Sequence, residues 1–414
     1  MKIKPRSCRI VLFLACSLVF LQDDANSKLP HAGLIAAGAT HSAALRSNGS
    51  LWSWGFNHLG QLGNGSVLPE DIPIRVGSEH AWIFVSAGGA HSAAIKSDGT
   101  LWTWGCNEFG ELGHDKKARN SSPCQVGTDT IWVAVSAGCI HTVGLKSDGT
   151  LWTWGRNFDG QLGDGSHSDR GMPVNVGIDN TWAAVSAGTH HTAALKSDGT
   201  LWTWGSNSSG QLGDGTTSHR NIPFQVSADN RTPDNAGKLV QMASREPYDK
   251  CIPPDISHKT TPRVIWSAVA AGGAHTAAIK SDGTLWAWGY NADGQVGDGS
   301  FETRTVPVQI GFDNHWVAIA AGCLHTAALK SDGTLWAWGC NYHGQLGDGT
   351  NINKASPAKI DSALRWAAVS AGCMHTIALK SDGTLWAWGR NTYGQIGNDT
   401  KVNISSPVQI LGWP

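Results

Sequence analysis

Seven histidines recur at one position of a repeating pattern: His41, His91, His141, His191, His275, His325 and His375. Imidazole transfers protons near neutral pH and binds Zn2+, so this series is the first place to look for chemistry. Three of the seven follow a cysteine by two residues (Cys139, Cys323 and Cys373). In a strand, Cys-x-His turns both side chains to one face, as a metal ligand pair requires. The same slot holds Ala39, Gly89, Thr189 and Gly273 in the other copies, so it reads as a place for small residues rather than ligands. An active site also needs different groups converging, and no copy has a carboxylate or hydroxyl partner that the others lack. The histidines are therefore assigned a structural role, each imidazole bonded to backbone within or between repeats. No metal or other cofactor is expected.

Two further patterns hint at Ca2+ loops: Asn157-x-Asp159-Gly160 with Asp164-Gly165, and Asn291-x-Asp293-Gly294 with Asp298-Gly299. Both lack the ligand spacing and terminal Glu of the twelve-residue calcium loop. Turns explain them better, with Asn bonding backbone and Gly supplying positive φ. Arg170, Arg220, Arg304 and Lys354 share one slot and read as packing or inter-repeat ion-pair residues.

Only positions that differ between copies can give a specific surface. They are Phe56, His58, Phe109, Arg156, Phe158, Tyr290, Tyr342, His343, Arg390 and Tyr393, joined by Arg245 and Tyr248 in the one irregular segment. Aromatics and arginines are the usual hot-spot types, and this set is the candidate partner-binding surface.

The elements that carry these residues are written seven times. Leu-Trp-x-Trp-Gly begins at Leu51, Leu101, Leu151, Leu201, Leu285, Leu335 and Leu385, mostly 50 residues apart. Trp at i and i+2 places two large rings on one face of a strand. Each unit offers four strand candidates: Trp182 to Gly188, His191 to Lys196, the double-Trp stretch, and Pro223 to Val226. Ser197-Asp198-Gly199-Thr200 joins the second to the third, and Asp-Gly between apolar runs is a strong hairpin signal. Seven units of four short strands without helical periodicity predict an all-β, seven-bladed β-propeller of four-stranded antiparallel blades. Every copy but the first has Trp nine residues before its histidine, where the first has Ala32. Trp413 is expected to supply it, with the ring closed by pairing of N- and C-terminal segments that share strands at the seam.

The propeller is expected over 31–414. One step, His191 to His275, is longer by 34 residues, placing an insertion at 231–265 that is rich in proline and reads as an exposed loop. Residues 1–27 read as an export signal: Lys2, Lys4, Arg6 and Arg9 precede the apolar run Ile10 to Leu21. That run is too short for a stable membrane span, so a secreted or cell-envelope location is expected, with a cytoplasmic one as the alternative. Seven cysteines remain beyond the signal, an odd number that suggests packing residues rather than a disulfide framework. A net charge of −1 gives no field to attract nucleic acid.

Ala187 to Gly213, with His-Thr-Ala-Ala-Leu-Lys-Ser-Asp-Gly-Thr-Leu-Trp-x-Trp-Gly-x-Asn-x-x-Gly-Gln-Leu-Gly, resembles the regulator of chromosome condensation repeat over essentially all of 31–414. The resemblance implies a seven-bladed propeller. It also implies, as an alternative function, guanine-nucleotide exchange on a small GTPase, which the family's founding member performs. An export signal and the lack of a basic tail argue against that role here. A plant ultraviolet-B photoreceptor of similar fold is built around Gly-Trp-Arg-His-Thr, whereas this chain has Gly38-Ala39-Thr40-His41 and Gly138-Cys139-Ile140-His141. Secreted propeller inhibitors of β-lactamase are similar in architecture, which makes inhibition of another enzyme a further alternative. The leading expectation is a non-enzymatic, monomeric scaffold binding another protein, or a glycan, through rim loops and the insertion.

Overall fold

The computed structural model describes residues 35–115, 117–227, 264–360, 365–410 and 412–413. Residues 1–27, Arg245, Tyr248 and nearly all of the insertion lie outside the described residues. Ile265 already occupies a regular repeat position, accepting from Ser281 N at 2.8 Å as Thr181 does from Ser197.

Each 50-residue unit folds as one sheet. In blade 2 the strands are Trp82–Ala87, His91–Lys96, Leu101–Gly105 and Asn120–Gln125. All seven sheets hold four antiparallel strands in sequence order, and the first strands of successive blades ring a central channel. The seven-bladed propeller stands. Among the described residues no helix is long and apolar enough to cross a membrane.

The repeated motifs have local causes. At the Lys96–Thr100 hairpin, Asp98 Oδ1 accepts from Thr100 N (3.0 Å) and Thr100 Oγ1 (2.6 Å). Thr100 Oγ1 in turn accepts from Trp102 Nε1 at 2.8 Å, so the turn positions the first indole. The second indole, Trp104, is wholly buried, and Trp82 packs edge-on to both at 6.2 Å. Lys96 lays its ammonium 3.7 Å from the Trp102 ring and bonds Glu79. Burying each indole removes about 200 Å2 from water, roughly 5 kcal/mol at 25 cal/mol/Å2. Every apolar cluster straddles two blades, as with Leu101, Val126, Trp132 and Trp154 between blades 2 and 3. Stability therefore resides in blade-to-blade packing. Each outer strand carries a proline, from Pro73 to Pro407, which removes a donor from the exposed edge.

At the seam the expectation is half met. Trp413 fills the empty slot, 8% exposed in a cluster with Ile35, Ala44, Trp54 and Ile410. Arg46 takes the place of the usual lysine, 4.0 Å from Trp52 and 5.2 Å from Trp413. No strand is shared, however. Blade 1 has its own inner strand, Ile35–Ala37, and blade 7 keeps its outer strand, Ile404–Gln409. The N-terminus lacks one indole, not a strand. The segments meet instead through Cys373 N to Gly38 O (3.2 Å) and Asp399 N to Asp71 O (3.1 Å).

The propeller has two faces. One carries the turns between strands 1 and 2 and the long Gly-x-Asn loops between strands 3 and 4; the other carries the hairpins and the strand 4 to strand 1 connections. The ends of the insertion, at Val226 and Trp266, fall on the hairpin face.

Candidate functional site

The seven repeated histidines are fully buried. Each Nε2 lies 2.9–3.0 Å from a hydroxyl of the next blade: His41 to Ser92, His91 to Thr142, His141 to Thr192, His191 to Thr276, His275 to Thr326, His325 to Thr376, and His375 to Ser42. The partner is thus a side-chain hydroxyl rather than the backbone that the sequence suggested. Ser92 Oγ donates to Gln61 O at 2.9 Å, which uses its one proton. His41 must therefore be the donor through Nε2, and the same logic fixes all seven tautomers. The buried Nδ1 atoms have no protein partner. Burial drives these imidazoles far below their usual value, to about 3 for His41 and about 4 for His91. They are neutral, turned between blades, and in no position to exchange protons with a substrate.

The Cys-x-His pairs do not form metal sites. Cys323 and Cys373, neighbours across blades 6 and 7, are joined by a disulfide, which corrects their reading as packing residues. Cys139 is free beside Gly89 and Thr189. Among the described residues no group of three His, Cys, Asp or Glu could hold a metal. The channel mouth is lined by Ala, Gly and these small residues around a cavity of about 80 Å3, room for a few waters.

The calcium-like loops are filled by their own donors. Asn157 Nδ2 donates to Asp164 Oδ1 (3.0 Å) and Ser166 O (3.1 Å), while Asn157 Oδ1 accepts from Leu162 N (3.0 Å). Arg170 Nε donates to Asp164 Oδ2 at 2.7 Å. The arginine slot thus makes an ion pair inside its own loop, as Arg220 and Arg304 also do, not between repeats.

All ten described members of the variable set lie on the loop face. Phe56 packs on His58 (4.6 Å) and, across the seam, on Tyr393 (4.8 Å). Arg390 lies 5.6 Å from the Tyr393 ring and helps burial hold the His343 imidazole low. Arg156 covers Phe109 of the preceding blade at 4.8 Å and reaches Phe158 at 5.8 Å. Phe158 and Tyr342 are 71% and 65% exposed, and Tyr290 is half-buried. The structure thus gathers most of the set into two stacks, one over blades 7 and 1 and one over blades 2 and 3.

A second kind of link was not read from the sequence. Asp159 lies between His190 (3.2 Å) and His219 (3.3 Å) of the next blade. Asn353 to Asp293 (3.0 Å) and Asn403 to His343 (3.3 Å) repeat the contact elsewhere. The signal was present: the third loop position of one copy faces the residue before strand 4 in the next.

Comparison with known proteins agrees with this architecture. The family described as RCC1-like domain matches residues 20–245 and 85–413. The structure of human WBSCR16 superposes with a TM-score of 0.72 at 21% identity, over 87% of this chain and 93% of that one. Yeast RCC1 (Prp20), solved bound to Kap60, gives 0.71 at 19% identity, over 99% and 89%. At such identities the likeness speaks for fold alone. The ultraviolet-B receptor UVR8 of Arabidopsis thaliana is 46% identical over 46 residues, 11% of this chain, and the match spans only 10% of that receptor's length.

Proposed function

The chain belongs to the RCC1-like domain family, and from that premise we propose that it is an exported, non-enzymatic scaffold that binds another protein through its loop face. One observation carries the reading. The repeated histidines, hydroxyls and buried indoles are used up in joining blades, whereas the aromatic and arginine side chains that vary between copies collect on the loop face. A surface built that way suits recognition rather than turnover. The insertion begins and ends on the opposite face, and Arg245 and Tyr248, the members of the candidate set that it carries, lie outside the described residues. Export is supported by the basic and apolar N-terminal segment and by the Cys323–Cys373 disulfide, a bond that persists in oxidising compartments. Use of the same face to inhibit another enzyme is one form of this function.

A second reading follows from the family. Yeast Prp20p was crystallised in a study of its binding to Gsp1p and histones, and exchange of guanine nucleotide on a small GTPase is the corresponding activity for this chain. Affinity capture from extracellular or envelope material, with wild-type protein and a Phe56→Ala, Arg156→Ala, Tyr393→Ala variant, tests the first reading. A partner held by the wild type and lost by the folded variant is expected. Capture that the variant leaves intact, or accelerated nucleotide release from a small GTPase by cytoplasmic protein with Met1 in place, would reverse the choice.

A further inference from the structure

The loop face is not uniform around the ring. Across blades 5, 6, 7 and 1 its outer edge shows Phe301, Ile352, Val402 and Leu68, between 56% and 68% exposed. The matching stretches of blades 2 to 4 offer Ala118, Ser168 and Ser218 instead. Leu68, Ile352 and Val402 share one repeat position on three successive blades, with Phe301 one residue earlier on blade 5, where Glu302 takes that position. Exposed apolar side chains grouped in this way mark an interaction site rather than scattered surface residues.

The charges around this arc are lopsided. Lys401 is taken by Asp71 (3.4 Å), Lys354 by Asp348 (3.4 Å) and Arg304 by Asp298 (2.6 Å). Arg390 lies against the ring of Tyr393. Glu70, Glu302 and Asp399 have no cation partner among the described residues, and Glu302 and Asp399 are exposed. The arc is therefore apolar with surplus negative charge.

Asp399 adds an independent sign. Its φ is 60°, the one positive value at a non-glycine among the described residues. Gly165 and Gly349, at the same repeat position, have φ of 81° and 79°. Glycine suits this backbone without strain, and a side chain held there is a pointer to function. Five of the seven copies place glycine at this position, and Asp115 on blade 2 holds it without positive φ; Asp399 alone keeps a side chain in the left-handed conformation, in the middle of the arc.

We propose that the seam half of the loop face, over blades 5, 6, 7 and 1, docks a protein surface of aliphatic side chains ringed by lysine or arginine. This rests on the loop-face reading above and specifies its partner. Aliphatic groups cover Ile352, Val402 and Leu68, while basic groups meet Glu302, Asp399 and Glu70.

The test uses the full chain and two fluorescein-labelled short peptides, one alternating Leu and Lys and one alternating Leu and Glu, read by anisotropy. The Leu/Lys peptide should bind, more weakly at high salt, and the Leu/Glu peptide should not. Asp399→Gly with Glu302→Gln should weaken binding by roughly tenfold while the thermal midpoint stays the same or rises, since glycine relieves the backbone. Val402→Asp should weaken it at least as much. Equal binding of both peptides, or loss of binding to Asp98→Asn with Asp148→Asn on the hairpin face, overturns the proposal. So does self-association of the wild type that Val402→Asp breaks, which would assign the face to a second copy. A natural partner lost by Arg156→Ala with Phe158→Ala but kept by the Asp399 and Val402 variants would sink this inference and leave the loop-face reading standing.

Discussion

His375 Nε2 lies 2.9 Å from Ser42 Oγ, across 333 residues of sequence, and this bond closes the ring. The six other histidines make the same contact to the next blade, so the seam is held by the device that holds every other interface. Gln395 O accepts from both Ser42 Oγ and Trp54 Nε1 at 2.9 Å. One backbone carbonyl of blade 7 thus collects two donors from blade 1. Apart from Trp413 and Arg46, closure reuses the repeat.

The histidine ring makes stability depend on pH. In the unfolded chain these residues titrate near 6.5; in the fold they sit near 3 to 4 because burial disfavours the cation. Unfolding therefore takes up protons below pH 6.5, and stability falls as pH drops from there toward 4. At pH 5 each histidine costs about 2 kcal/mol relative to pH 8, and seven act together. Urea midpoints measured from pH 8 to 4.5 should be flat above 7 and collapse below 6. A midpoint at pH 5 equal to that at pH 7.5 would remove the neutral, buried assignment.

Trp413 should matter far more than its place at the chain end suggests. It completes the core between blades 7 and 1, so Trp413→Ala should lower stability by about 3–5 kcal/mol, the usual range for a buried Trp. Arg46→Met, which keeps part of the stacking over Trp52, should cost less. Thermal midpoints of the two variants check the ranking, and a Trp413→Ala midpoint within error of wild type would mean that the ring closes without it.

The repeat told most of the fold because each motif residue has a local duty that sequence spacing exposes. Asp98 and Thr100 make a turn, Trp102 follows from that turn, and Trp413 is called for by its absence at Ala32. What the spacing hid is lateral. Parity of the cysteine count argued against disulfides, yet Cys323 and Cys373 stand at one repeat position in consecutive copies and so meet across adjacent blades. Cys139, with Gly89 and Thr189 beside it, has no such partner. The shared strand failed for the opposite reason: a missing Trp was read as a missing strand, although Ile35–Ala37 was there to form one. On the loop face the residue types were legible, while their pairing, Phe56 with Tyr393 or Arg156 with Phe109, required the ring.

The Cys323–Cys373 bond staples the turns that follow the inner strands of blades 6 and 7, across a 50-residue separation. Chain-entropy arguments give about 4 kcal/mol for a loop of that size, as an upper figure. Dithiothreitol should lower the thermal midpoint of wild type and leave Cys323→Ser with Cys373→Ser unmoved. Alkylation of the unfolded, unreduced protein should leave these two cysteines unlabelled while Cys106, Cys124, Cys139 and Cys340 react. Labelling of Cys373 under those conditions would show the bond absent.

Two glycines separate crowding from backbone freedom. A Cβ on Gly88 would stand 2.4 Å from Gly138 O and 2.7 Å from His91 Cε1, a backbone atom of the next blade and a buried ring that is itself fixed by Thr142. Neither can yield without opening the ring of inter-blade bonds. Gly77, at φ 67°, has nothing within 4 Å of the same position, so a side chain there meets only local strain. Gly77→Ala should cost about 1 kcal/mol. Gly88→Ala should cost several times more, because it displaces the histidine contact along with the backbone. Chemical denaturation of both variants decides it. Comparable losses would mean that the inner ring is compliant, and the rigid spacing that holds the loop-face stacks in place would then need another source.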